Sequence, residues 1–300
     1  MMAARIMNEI RGTLKHDEPM SKHTSWRVGG VADHYYQPAD IDDLALYLSQ
    51  IDKDEPVTWV GLGSNLLVRD GGIRGSVIAT SGVLNGLSSV NTLTVRAEAG
   101  VACAKVARFT ARQSLQGAEF LAGIPGTMGG ALAMNAGAFG GETWNVVSAV
   151  ETVSRDGRRN RRLPNEYQVG YRSVKGPADE WFVAAELTLE KGDSEKSLAK
   201  IKECLNKRGD TQPIQQPNAG SVFKNPPNDY SARLIESCGL KGFCIGGACI
   251  SEKHANFIVN MGNATASDIE ALIEHAAKTV EQQQGVKLER EVRIIGEAAV

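Results

Sequence analysis

The chain has 300 residues, 42% of them hydrophobic, and 33 lysines and arginines against 35 aspartates and glutamates give a formal net charge of −2. That length is too great for one small core and suits two or three lobes of about 100 residues. The near-neutral balance excludes a global basic field for nucleic acid; no stretch has the character of a membrane span, and MMAARIMNEIRG lacks an apolar run of signal-peptide length, so a cytoplasmic protein is expected. Five cysteines, Cys103, Cys204, Cys238, Cys244 and Cys249, form no CxxC pair and have no nearby pair of histidines. Disulfides and metal are therefore not expected, and small buried thiols are.

In chain order, a short helix is predicted up to Lys15, then paired strands in HTSWRVGGVADHYYQPAD turning at Gly29 and Gly30. Asp40 is placed to cap a helix whose apolar face is Ile41, Leu44, Ala45, Leu48 and Ile51. VTWVG, GSVIA and TLTVRAEAG are strands, and a small-residue helix between Val101 and Leu115 carries Lys105, Arg108 and Arg112 on a solvated stripe. SAVETVS and WFVAAELTLE alternate as strands, with RDGRRNRR a solvated hairpin between them. Composition changes at Gly192 and Asp193, where a helix with Leu198, Ile201 and Leu205 begins, followed by the proline-broken linker TQPIQQPNAG. A last long helix runs from a Thr265 cap through Ile269, Leu272, Ile273, Ala276 and Val280 to a Gly285 stop. The final strand VKLEREVRIIG then sorts by period two: Val286, Leu288, Val292 and Ile294 on one side, Lys287, Glu289, Glu291 and Arg293 on the other. Glu291 and Arg293 point the same way, about 7 Å apart.

Two glycine-rich stretches stand out. Ala118 to Gly141, AEFLAGIPGTMGGALAMNAGAFGG, is apolar but holds seven glycines and a proline, which favours a loop over a helix. The other is GLGSNLL from Gly61, directly after VTWV. Bare amides in series suit a phosphate, although a tightly packed Gly/Ala crossing is the alternative for the longer stretch. GLGSN is neither GxGxxG nor GxxxxGK[ST], so the ordinary nucleotide fingerprints are absent. Two such loops about sixty residues apart are what an extended dinucleotide between two small α+β lobes needs.

GLGSNLLVRD, AGIPGTMGGALAMNAGAFGGE, GYRS, NAGSVFKNP, LKGFCIGGACISEKHANFIVN and LEREVRIIGE, in that order, resemble the UDP-N-acetylenolpyruvoylglucosamine reductases, flavoenzymes of peptidoglycan precursor synthesis. The resemblance runs from about Thr24 to Glu297. It implies an α+β fold with a two-lobed FAD-binding domain of the PCMH (vanillyl-alcohol-oxidase-like) type and a C-terminal α+β substrate-binding domain. The expected bounds are 1–80 and 81–192 for the two lobes, 193–285 for the substrate domain, and 286–300 for a strand that carries Glu291 back to the lobes. No room exists between Arg172 and Lys191 for the tyrosine-bearing insertion of the longer class, so the chain resembles the shorter class.

The resemblance also implies roles. Non-covalent FAD would be held by Gly61, Leu62, Gly63, Ser64, Asn65 and Leu66. In the second stretch it would be held by Gly123, Ile124, Pro125, Gly126, Thr127, Gly129 and Gly130, with Asn135, Gly137 and Ala138. Arg172, Ser221 and Glu291 match catalytic positions, and Tyr171, Asn225, Lys241 and Arg293 match positions that face substrate; no metal is implied. NADPH would supply hydride, and UDP-N-acetylglucosamine enolpyruvate would accept it at the vinyl carbon, with Ser221 protonating the adjacent carbon. A neutral hydroxyl is a weak acid and suits only a strongly basic carbanion or enolate, which that addition generates. Locally, Ser221 is also a plain turn hydroxyl without a GxSxG elbow, Arg172 a candidate surface ion pair, Glu291 and Arg293 an exposed charged face, and His254 either a motif or a structural residue. The partners expected are small molecules alone, and the chain a monomer. Another flavin oxidase with the same cofactor lobe, or a nucleotide-binding module without flavin, are the competing readings. The first does not require Ser221, Glu291 and Arg293 together, and the second predicts a colourless protein.

Overall fold

The computed structural model describes residues 10–299. They form two compact units assembled from separate pieces of chain. The first takes the segment ending at His16, His34–Gly61 and Gly75–Cys204; the second takes Asp17–Asp33, Leu62–Arg74 and the chain from Leu205.

In the first unit, helix α1 (Ile41–Gln50) starts where Asp40 accepts a hydrogen bond from the Asp43 amide at 2.9 Å, a cap contributing about 1 kcal/mol. Its apolar face enters a core with Tyr36, Ile78, Leu84, Val153 and Val183. Val57–Val60 runs parallel to 76–79. A five-stranded antiparallel sheet has the order Arg159–Arg162, Val147–Ser154, Glu180–Thr188, Thr94–Glu98, Leu87–Ser89. Helix α2 (Cys103–Arg112) buries Val106, Ala107, Thr110 and Ala111 and leaves Lys105, Arg108 and Arg112 exposed, as its periodicity predicts. Four arginines of the 155–162 hairpin are paired with acids, Arg158 with Asp156, Arg159 with Asp42, Arg161 with Glu186 and Arg162 with Glu180, and Arg155 donates to main-chain carbonyls.

Three local expectations need correction. Of the helix expected up to Lys15, the first nine residues lie outside the described part, and Thr13–Pro19 is a strand beside Val31–Gln37, because sheet pairing outweighs local helix preference. The stretch from Ala118 to Gly141 is not all loop. Glu119–Gly123 is a 3-10 turn, and helix α3 (Met128–Met134) forms because Met128, Ala131 and Leu132, spaced by three and four, are all buried. Finally, helix α4 (Ser194–Thr211) does not open a new domain: Ser197 donates to Glu119 at 2.6 Å, tying its first turns to the first unit, and the chain leaves that unit only after Cys204.

The second unit packs around helix α5 (Ala266–Gln284), which begins at the predicted Thr265 cap, in a capping box with Asp268, and ends at the predicted Gly285. Asp70 adds a carboxylate to the first amides of α5, accepting from Ala266 at 3.0 Å and Ser267 at 2.9 Å, the favourable sign for a helix start. Trp26 is fully buried here. Its indole donates to the Ile258 carbonyl at 2.8 Å, and Asn260 donates to the Trp26 carbonyl at 2.8 Å. Leu66–Val68 pairs in parallel with Arg293–Ile295, and Leu67 is fully buried. These non-local bonds draw 17–33 and 62–74 into the carboxy-terminal unit. Arg293–Ile295 and its partner strand thus lie in the same unit.

Cys244 and Cys249 are disulfide-bonded, contrary to the expectation of free thiols. They are directly opposite each other in the hairpin formed by Cys244–Ile245 and Ala248–Ile250, with Gly246 and Gly247 in its turn and 4.1 Å between their Cα atoms. Cross-strand pairing, not a CxxC loop, brings them together. Cys103 and Cys204 are buried and outside any disulfide, as expected. No helix among the described residues is long and apolar enough to cross a membrane.

Candidate active site

The predicted site residues fall into two groups, one in each unit. In the first unit, Tyr171 and Arg172 occupy the tip of a tight hairpin in which Gly170 pairs with Ser173. Arg172 has a left-handed backbone (φ 52°), a conformation that an arginine adopts only when its surroundings hold it. Its Nη2 donates to the Gly137 carbonyl at 3.2 Å, and its guanidinium lies 5.3 Å from the centre of the Tyr171 ring, within cation–π range. Tyr171 is half-exposed.

Asn135, expected to touch cofactor, also anchors this hairpin. It caps α3 in the left-handed region, is buried, and donates to Glu142 at 2.9 Å and to the Gly170 carbonyl at 3.2 Å, while its Oδ1 accepts from the Trp144 amide at 3.1 Å. Both side-chain N–H groups are engaged, so its role is to hold the hairpin against the glycine-rich stretch.

The amides of that stretch are less available than predicted. Met128 N donates to Val101 at 2.9 Å, Gly129 N to Ala99 at 2.8 Å and Gly126 N to Ile124 at 2.9 Å. Gly137 and Ala138 pair with Glu142 and Gly141. Thr127 is the exception: its buried hydroxyl has no hydrogen-bond partner among the described residues, a group that calls for a bound partner. Gly61 lies against it, since a Cβ there would come within 2.4 Å of the Thr127 hydroxyl oxygen.

The shorter loop keeps its donors. No amide from Gly61 to Asn65 bonds to a described residue, whereas Ser25 N donates to the Gly63 carbonyl at 3.2 Å and fixes the loop from outside. Five successive free amides match the acceptor oxygens of a phosphate group. Gly63 has φ 67°, and a Cβ there would sit 2.0 Å from the His23 carbonyl oxygen. Gly63→Ala should therefore carry backbone strain of about 1–3 kcal/mol and lower flavin affinity by about tenfold or more. Fluorescence titration of the cofactor-free protein with FAD checks this, and an unchanged Kd would contradict it.

In the second unit, the segment after Ser221 is clamped from two sides. Asn256, buried in the apolar run after His254, donates to Phe223 O at 2.8 Å, and its Oδ1 and main-chain oxygen accept from Phe223 N at 3.0 Å and Val222 N at 2.9 Å. On the other side Glu291 N donates to Val222 O at 2.8 Å and Lys224 N to Glu289 O at 2.9 Å. Ser221 and Glu291 are thus joined through the Val222 peptide. The half-buried Ser221 hydroxyl has no partner among the described residues, which leaves its proton available. Regular strand pairing in the tail is limited to Arg293–Ile295, but burial alternates as predicted, with Leu288 and Val292 inside and Glu289 and Arg293 exposed.

Arg293 has no carboxylate partner among the described residues, whereas Lys241, the phosphate cation expected, is paired with Glu236 at 2.7 Å. Asn225 accepts from Ser231 N at 3.1 Å through its Oδ1, which leaves its amide donors open. His254 is structural. Burial lowers its pKa below the usual histidine value, and its Nδ1 accepts from Asn256 N at 3.3 Å in a turn closed by Phe257 N to His254 O. Asn256 was not among the predicted residues; its signal was a polar side chain inside HANFIVN, where burial demands partners. No cluster of metal ligands exists among the described residues.

Two family models match the chain: an FAD binding domain over residues 32–161, and the C-terminal domain of UDP-N-acetylenolpyruvoylglucosamine reductase over residues 212–295. Relatives named UDP-N-acetylenolpyruvoylglucosamine reductase include those of Nitrosococcus oceani, 59% identical over 97% of both chains, and of Methylococcus capsulatus, 58% identical over 99% of this chain and 97% of the relative. The crystal structure of the reductase from Thermus caldophilus superposes with a TM-score of 0.79 at 32% identity, covering 95% of this chain and 99% of that one. With this identity over the full length, and with an FAD-binding domain preceding the reductase-specific one, the chain belongs to the UDP-N-acetylenolpyruvoylglucosamine reductase family.

Proposed function

We propose that this protein reduces UDP-N-acetylglucosamine enolpyruvate to UDP-N-acetylmuramate with electrons from NADPH, using tightly held, non-covalent FAD, in the synthesis of peptidoglycan precursors. The observation that carries the reading is 59% identity across 97% of a reductase of that name. FAD, when bound, relays hydride from NADPH to the vinyl ether. The free amides of 61–65 are the groups that would hold its diphosphate.

The protein's own residues handle charge and the proton. Hydride arriving at the CH2 carbon pushes an electron pair onto the adjacent carbon and its carboxylate. The Arg172 guanidinium, held by the Gly137 carbonyl and the Tyr171 ring, neutralises that charge with planar, bidentate donors. Glu291 polarises the same system, and the Ser221 hydroxyl gives its proton to the carbon, completing one hydride and one proton added across the double bond. Arg293, Tyr171 and the Asn225 amide are the substrate-facing groups, and Lys241 joins them by exchanging Glu236 for phosphate. The protein works as a cytoplasmic monomer on small molecules.

The test is NADPH oxidation that requires the enolpyruvyl sugar nucleotide, run in D2O. Product with solvent deuterium at the carbon beside the carboxylate is expected; oxidation of NADPH without reduction of the sugar would refute the reading.

A further inference from the structure

The last residue of the free-amide loop, Asn65, is bonded to the strand that carries Glu291. Its Nδ2 donates to the Glu291 carbonyl at 3.2 Å, and its own carbonyl accepts from Arg293 N at 3.0 Å. Main-chain pairing between the two segments starts only at Leu66 opposite Arg293. The side-chain amide of Asn65 therefore acts as an extra rung, extending the ladder past the end of regular pairing to reach Glu291. On the opposite side of that residue, Glu291 N is bonded to Val222 O at 2.8 Å. Both peptides flanking the Glu291 Cα are thus held, one by Asn65 and one by the residue after Ser221, and together they orient its Cα–Cβ bond.

We infer that Asn65 is a positioning residue for Glu291, coupling the flavin loop to the carboxylate used in substrate reduction. The inference rests on the reading of Glu291 given above. A half-buried asparagine at this place offers what a backbone amide would, and an apolar residue of the same size would leave the Glu291 carbonyl without that donor. Because catalytic geometry is sensitive to shifts of about 1 Å, loss of this rung is felt more in the step that uses Glu291 than in the step that oxidises NADPH.

The experiment compares Asn65→Ala, Asn65→Asp, Glu291→Gln and the Asn65→Ala/Glu291→Gln double variant as holoenzymes in excess FAD. Asn65→Asp keeps the size of the side chain while removing the donor. Stopped-flow measurement of the two half-reactions should show sugar reduction slowed about 10- to 100-fold more than NADPH oxidation in both Asn65 variants. The double variant should be no slower than Glu291→Gln, because residues acting through one group are not additive. In the cofactor-free protein, amide hydrogen exchange at Glu291 and Val292 should quicken about tenfold with Asn65→Ala, a readout independent of turnover. Equal slowing of both half-reactions, loss of FAD as the main effect, additivity in the double variant, or unchanged exchange would each overturn the inference. Glu291→Gln at the wild-type rate would remove the reading of Glu291 and this inference with it; a slow Glu291→Gln beside wild-type Asn65 variants would remove the inference alone.

Discussion

Ser221→Ala is expected to slow reduction of the enolpyruvyl sugar by about 10²–10⁴-fold, the range for a lost general acid, while NADPH oxidation proceeds at the wild-type rate. The hydroxyl has no protein partner among the described residues, so its removal strands no buried donor or acceptor and the fold should be undisturbed. Val222 and Phe223 stay clamped by Asn256 and by Glu291 N through main-chain and Asn256 groups that the substitution does not touch. Ser221→Cys gives a useful control. A thiol has an ordinary pKa of about 8.5, a stronger acid than a hydroxyl, so part of the lost rate should return. Stopped-flow traces in which both half-reactions slow alike would defeat the assignment of Ser221 as proton donor.

Arg172→Met is expected to lower kcat/KM for the sugar by about 10²–10³-fold, as for a lost oxyanion donor of about 2.7–4 kcal/mol. Most of the loss should fall in kcat, because the negative charge it answers grows only after hydride arrives. Arg172→Lys should recover binding more than rate, since an ammonium cannot reproduce the planar fork. Both variants retain the left-handed backbone strain at this position, so a difference between them reports on the guanidinium and not on the turn. A methionine variant within about threefold of wild type in single-turnover sugar reduction would contradict the role, given the magnitude above.

Elements governed by neighbours in sequence were legible before the structure. The Asp40 and Thr265 caps, the Gly285 stop, the exposed Lys105, Arg108 and Arg112, and the alternation of Leu288 and Val292 with Glu289 and Arg293 all follow from period and capping chemistry. Elements governed by distant partners were not. Thr13–Lys15 joins a strand through sheet pairing, and Cys244 meets Cys249 through hairpin register. Residues 17–33 and 62–74 enter the second unit because Trp26 and Leu67 find their burial there, a contact that no local window records.

The candidate site divides the same way. Arg172, Ser221 and Glu291 came from motif resemblance, and their chemistry follows from residue type. The residues that aim them, Asn135, Asn256 and Asn65, act through side-chain amides bonded to main-chain groups from 33 to 226 positions away. Asn135 and Asn65 had been predicted only as cofactor contacts. An asparagine in a Gly-rich or apolar run signals that a partner exists, but only the fold identifies it. Gly129 illustrates the converse: a glycine expected to lend its amide to a ligand uses it on Ala99.

The central claim is that this chain holds FAD and passes electrons from NADPH to an enolpyruvyl sugar nucleotide. Its most direct test is an anaerobic absorbance spectrum of the purified protein taken in two additions. The protein should be yellow, bleach on one equivalent of NADPH, and regain its colour when UDP-N-acetylglucosamine enolpyruvate is added. A colourless protein that binds no FAD when supplied with it, or one that stays bleached in the presence of the sugar, would contradict the account.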